Sequence, residues 1–115
     1  MARGDIFTID FPSPAGRPGH EQIGRRPGIV VQTNLTDASL STTMIIPLTA
    51  NLKALRFPHT IQVNPSPQNG LQMPSVLLVF QLRSIDKARL MSRIGCLENF
   101  YLDQVDKEMR RLLGL

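Results

Sequence analysis

The chain carries a single cysteine, Cys96, no tryptophan and one tyrosine among 115 residues. One thiol excludes an internal disulfide framework and any zinc finger built on cysteine pairs, and it points to a reducing compartment, the cytoplasm. Long apolar runs are missing too. The longest, residues 76–80 (VLLVF), has the length of a strand, against the roughly 18 apolar residues that a membrane-spanning helix requires. The opening MARGDIFTID meets Gly4 and Asp5 before any apolar stretch forms, so no secretory leader is expected. Charge of one sign is not concentrated either. Thirteen Lys and Arg against nine Asp and Glu give +4, spread along the chain without a polybasic tail. A cationic site therefore has to be assembled by folding. No P-loop, dinucleotide-binding glycine fingerprint or Gly-x-Ser-x-Gly elbow occurs, and His20 and His59 are too far apart for a helical metal pair.

What is present reads as one domain, residues 1–115, of near-average globular composition. All nine prolines lie between Pro12 and Pro74. Proline breaks helix interiors and withholds a ladder donor, so the first two thirds read as short strands and loops. Strands are expected at residues 6–9, 28–33, 42–48, 60–63 and 76–80, with a long Pro/Gly-rich loop over 11–27 and a turn cluster over 64–70. From Asn99, the residues Leu102, Val105, Met109 and Leu112 recur at the helical period. Gly114 is the natural stop. Residues 86–90 suit a short helical turn, and Ile94 a brief strand. The fold class is α+β: a small antiparallel sheet with a C-terminal helix on one side.

Chemistry concentrates in few places. The long loop holds Arg17, His20, Glu21, Gln22, Arg25 and Arg26. A histidine moves protons near neutral pH, and arginine forks match phosphate oxygens, so this loop suits a phosphodiester. On composition alone, a solvated loop with surface pairs to Glu21 remains the plainer reading. Thr49 ends a strand, where a hydroxyl serves either a turn hydrogen bond or a phosphate. Lys53 and Arg56 follow in the next loop. Arg83 and Asp86 suit a structural pair, and Cys96 a buried small apolar residue.

Together these pieces resemble the MazF/PemK/Kid toxins of bacterial toxin–antitoxin modules. Four motifs in order carry the resemblance: Arg3-Gly4-Asp5-Ile6; Gly19-His20-Glu21-Gln22 with Arg26-Pro27 and the strand at 29–31; Pro47-Leu48-Thr49; and Gln81-x-Arg83-Ser84-Ile85-Asp86. The resemblance implies a partly open, SH3-like β-barrel with a C-terminal helix, as in the CcdB/PemK fold, assembled as a homodimer. It also implies cleavage of single-stranded RNA such as mRNA, without metal or cofactor, by attack of the RNA's own 2′-hydroxyl to leave a 2′,3′-cyclic phosphate and a 5′-hydroxyl. Arg26, Thr49 and His20 are the implied catalytic residues. Glu21 and Gln22 order the loop or touch RNA, and Gln81 joins them by its motif; Arg17, Arg25, Lys53 and Arg56 are expected on the backbone phosphates by charge and loop position. The implied partner is an antitoxin with an acidic disordered tail, DNA being reached only through that complex.

One departure stands out. Several relatives place an acid, proposed in one branch as the general base, just before the motif glutamine, where this chain has Phe80. The proton must then go to His20 or Glu21. Two other readings share the fold: a DNA gyrase poison of the CcdB type, and a catalytically weak relative that only binds its antitoxin. With so few aromatics, extended base stacking is a weak expectation.

Overall fold

The computed structural model describes residues 1–12, 24–33 and 39–115. Seven strands precede one helix: β1 (Asp5–Phe11), β2 (Gly24–Val30), β3 (Thr42–Thr49), β4 (Thr60–Val63), β5 (Ser75–Leu78), β6 (Arg83–Asp86), β7 (Leu90–Cys96) and α1 (Asn99–Leu113). All pairings are antiparallel, in the order β4-β5-β3-β2-β1-β7, and β6 also pairs with β3. The sheet is open, with β4 and β7 at its ends, and the expected α+β class holds.

β3 organises the sheet, and a proline divides it. Residues Thr42 to Ile45 pair with β6, while Leu48 and Thr49 pair with β5. Ile46 and Pro47 fall between. Pro47 has no N–H to offer a neighbour on that side, and the chain opposite makes a tight helical turn, Val79–Gln81, between β5 and β6. The strand expected over 76–80 thus stops at Leu78, and its last two residues belong to the turn that leads to β6. Pro27 follows the same logic: β2 pairs with β3 only from Gly28 onward, so a proline is tolerated at that edge.

The central strands bury both faces. Ile6, Ile29, Val31, Ile46 and Leu48 join one apolar cluster with Val63, Leu77 and the helix residues Tyr101 and Val105. Ile9, Phe11, Val30 and Ile45 join a second with Ile85. Successive side chains on a strand point to opposite faces, so Val30 and Ile29 serve different clusters. Each fully buried Ile, Leu or Val contributes about 1.5–3 kcal/mol.

Other expectations shift. β1 runs beyond residues 6–9, and β2 begins at Gly24, so Arg25 and Arg26 sit in a strand opposite Asp10 and Ile9, not in a loop. β7 is a seven-residue strand where only a brief one around Ile94 was expected; three consecutive residues, Met91 to Arg93, are exposed and its register shifts against β1, so it lacks an alternating pattern. The helix starts at Asn99 and stops at the left-handed Gly114, as predicted. Its buried stripe also includes Tyr101, whose hydroxyl accepts from Asn64 N at 2.9 Å. Arg83 and Asp86 diverge because three residues of strand put them on opposite faces: the Arg83 guanidinium lies 5.7 Å from the Phe11 ring centroid, and Asp86 accepts from Ala88 N at 2.8 Å. Cys96 is half-buried at the end of β7, not in the core.

His59 ties the segment before β4 to the helix. Its backbone is left-handed (φ 57°), its carbonyl accepts from Val79 N, and its Nδ1 lies 3.0 Å from Glu108 Oε2. Burial raises the Glu108 carboxyl, but hydrogen bonds from His59 and Arg111 outweigh it and hold the group below its ordinary value. A carboxyl lowered in the folded state stabilises the fold at pH values above the ordinary value and ceases to do so as pH falls through the folded value. The melting-temperature gap between the natural chain and Glu108→Gln is therefore expected to be full at neutral pH and to close on acidification below about pH 4.5, as a pH series of thermal melts will show.

Candidate functional site

Two adjoining cavities open where β3 ends. The first, about 460 Å³, is walled by Thr8, Arg25, Arg26 and Pro27 from β1 and β2, by Leu48, Thr49 and Ala50, and by the β4–β5 connection from Gly70 to Met73. The second, about 380 Å³, is walled by Thr49, Asn51, Lys53, Arg56, Phe57, Phe80 and Gln81 among others. Thr49 belongs to both and marks their junction.

Local structure explains how Thr49 sits there. β3 ends after Pro47-Leu48, and the chain turns at once into a short helical segment, Leu52–Arg56. Thr49 Oγ1 accepts from Asn51 N at 3.2 Å, and Asn51 Oδ1 caps the segment by accepting from Lys53 N at 3.1 Å. The turn-forming role open to Thr49 is thus realised. A hydroxyl that accepts one bond still carries its proton, so Thr49 remains able to donate to an oxygen in the cavity. The Asn51 cap and the turn it starts hold Lys53 and Arg56 on the wall of the second cavity.

The far wall of the first cavity is fixed by a residue that composition did not single out. Asn69 is completely buried. Its Oδ1 accepts from Ser66 N at 3.0 Å and Leu71 N at 3.1 Å, and its Nδ2 donates to Asn64 O at 2.9 Å and Glu98 Oε1 at 3.1 Å. Gly70 is left-handed (φ 69°), and a Cβ there would lie 2.4 Å from Ile94 O. Only glycine fits. Across the contact, a Cβ on Gly95 would lie 2.5 Å from Gln68 O. The NPSPQNG sequence predicted a turn; the docking of that turn on β7 needs the tertiary structure.

Of the residues singled out by sequence, Arg25, Arg26 and Thr49 line the first cavity and Thr49, Lys53, Arg56 and Gln81 the second. Arg17, His20, Glu21 and Gln22 lie outside the described residues. The two linings contain four cations and no carboxylate among the described residues. Clustered cations with no internal counter-charge attract a polyanion and hold its phosphates. Phe80 lines the second cavity. Among the described residues, no three His, Cys, Asp or Glu side chains gather as a metal-binding group, and no helix is long and apolar enough to cross a membrane.

Comparison with known proteins agrees with this architecture. Endoribonuclease EndoA of Bacillus subtilis (strain 168) is 32% identical over 115 residues, spanning all of this chain and 96% of the relative. The crystal structure of MazF (Form-I) from Deinococcus radiodurans superposes with a TM-score of 0.80 at 24% identity, covering 100% of this chain and 97% of that one. The MazE–MazF structure (Form-II) from the same organism gives 0.75 at 25% identity, covering 100% and 96%. A family model of PemK-like, MazF-like toxins of type II toxin–antitoxin systems matches residues 2–113, and the chain belongs to that family.

Proposed function

We propose that this toxin is an endoribonuclease that cleaves single-stranded RNA at the junction of the two cavities. The observation that carries the reading is the sharing of one cavity by the Arg26 guanidinium and the Thr49 hydroxyl, inside a cationic lining. The relatedness to EndoA supports it.

The chemistry follows from what the groups offer. A base takes the proton of the 2′-hydroxyl; the oxygen attacks the adjacent phosphorus; the bond to the 5′-oxygen breaks, and that oxygen is protonated. The products are a 2′,3′-cyclic phosphate and a 5′-hydroxyl. Negative charge grows on the phosphorane oxygens, where preorganised donors have their largest effect. Arg26 supplies two such donors and a full charge, and Thr49 supplies a neutral one. Arg25, Lys53 and Arg56 hold the flanking phosphates. Among the described residues the lining offers no Asp, Glu or His; the base in this proposal is His20 or Glu21, the pair that the family resemblance implies. Nothing in this scheme requires a metal ion.

An antitoxin with an acidic disordered tail would occupy the same cationic groove and exclude RNA; the Deinococcus relative solved with MazE supports a protein partner of this kind. DNA is reached only through that complex. We assign the toxin to the cytoplasm, where RNA is its substrate, and to a homodimer. The test is incubation with a long single-stranded RNA in EDTA, with both ends of each fragment mapped. Discrete cuts bearing cyclic phosphate are expected. No cutting overturns the reading, and trapped gyrase–DNA complexes instead would favour the gyrase-poison alternative.

A further inference from the structure

The second cavity contains more than phosphate-binding cations. Phe57 and Phe80 come from different segments and meet with ring centroids 5.6 Å apart and planes tilted by 55°. The Arg56 guanidinium lies 4.9 Å from the Phe57 centroid. Neither ring belongs to either apolar core cluster, and Phe57 leaves 39% of its surface exposed. Burial in the core therefore does not explain the pair. Two phenyl rings on the wall of an open cavity, flanked by Lys53 and Arg56 and beginning at Thr49, combine an aromatic surface with charge for the neighbouring backbone. That is the chemistry by which proteins hold an unpaired base.

We propose that the Phe57–Phe80 wall is the seat of one unpaired nucleobase beside the scissile phosphate. The base lies against the aromatic wall, and Arg56 and Lys53 meet its backbone phosphate. Phe80, which cannot accept a proton, has a binding role here. A seat for one base is consistent with the expectation that extended stacking is weak: two aromatics suffice for it when they converge on the groove. The inference rests on the endoribonuclease reading of the groove, and its test separates the two.

A 2′-deoxy copy of the cleaved sequence, which lacks the attacking hydroxyl, serves as a binding probe and is scanned with single abasic positions by fluorescence anisotropy. For the natural chain, one abasic position next to the cut is expected to weaken binding about tenfold. In Phe57→Leu and Phe80→Leu the same abasic position is expected to cost nothing further, whereas Phe80→Tyr keeps the tenfold response. Phe57, being exposed, permits substitution without loss of the fold, which thermal melts verify. A tenfold loss that persists in both leucine variants overturns the aromatic seat. Mapped cleavage of long RNA by the natural chain runs beside it: its absence overturns the endoribonuclease reading, while cleavage with an abasic response unaltered in the variants overturns the seat alone.

Discussion

Arg26→Ala is expected to lower the rate of RNA cleavage about 10³-fold, the upper end of the 10²–10³-fold loss that follows removal of preorganised donation to a developing oxyanion. Stability should move by no more than about 0.5 kcal/mol, because the Arg26 side chain is exposed on β2 and supports neither apolar cluster. The contrast between those two readouts separates a catalytic role from a structural one. Arg26→Lys retains the charge but not the planar fork, so an intermediate rate is expected. Thr49→Ala removes one neutral donor to the same oxyanion and is expected to cost about 10²-fold, the lower end of that range. Lys53→Ala should behave differently. In the proposed scheme it holds a flanking phosphate, so cleavage at saturating RNA is expected to persist, while the slope of log affinity against log salt falls by about 0.7. Single-turnover cleavage and binding titrations across salt concentrations measure all four. Equal losses from Arg26→Ala and Lys53→Ala would mean that the groove only gathers RNA.

How much of this was legible in the residues depends on whether the signal was local. The helix was readable to its ends, since the period of Leu102, Val105, Met109 and Leu112 and the stop at Gly114 are both written within one segment. β4 was readable as well, because one face is buried and the other wet, giving the alternation of TIQV. β7 was hidden, because an irregular edge strand carries no pattern of its own and exists by virtue of its pairing with β1. The break in the 76–80 run was hidden for a related reason. Its cause is Pro47, thirty residues earlier, which becomes relevant only once β3 lies alongside.

The site divides in the same way. Arg26 and Thr49 could be picked out by motif, though the loop expected around Arg25 and Arg26 is a strand. That difference matters chemically, since a guanidinium on a paired strand is held in place at lower entropic cost than one on a loop. The Phe57–Phe80 contact could not be read, because the rings lie 5.6 Å apart only after the segment following β3 folds back onto the turn after β5. Asn69 escaped too. Inside NPSPQNG it looks like any other turn former, and nothing local distinguishes an exposed turn asparagine from one that is buried with every polar atom satisfied.

Asn69→Ala is expected to be the most damaging single change to the fold outside the apolar clusters. The natural side chain answers two backbone N–H groups, of Ser66 and Leu71, and donates to Asn64 O and Glu98 Oε1. Alanine fills part of the volume but answers none of them. Each buried group left without a partner costs about 1–3 kcal/mol. Some of the loss is recovered where water enters, so a total of roughly 3–5 kcal/mol is expected. For a domain of this size that corresponds to a fall in melting temperature of roughly 12–20 °C. Asn69→Asp tests the assignment of the side-chain atoms. The carboxylate still accepts from Ser66 N and Leu71 N, but it opposes Asn64 O and the Glu98 carboxylate where the amide donated. It is therefore expected to destabilise nearly as much as alanine at neutral pH, and less once the pH is low enough to protonate it. Because the same turn carries Gly70, Leu71 and Met73 to the wall of the first cavity, cleavage by Asn69→Ala should fall even at temperatures where the protein remains folded. Thermal melts beside cleavage assays at 10–15 °C, a range set roughly by that predicted loss, separate the two effects. Full stability in the alanine variant would mean that the hydrogen bonds to Asn69 contribute little to holding the turn on β7.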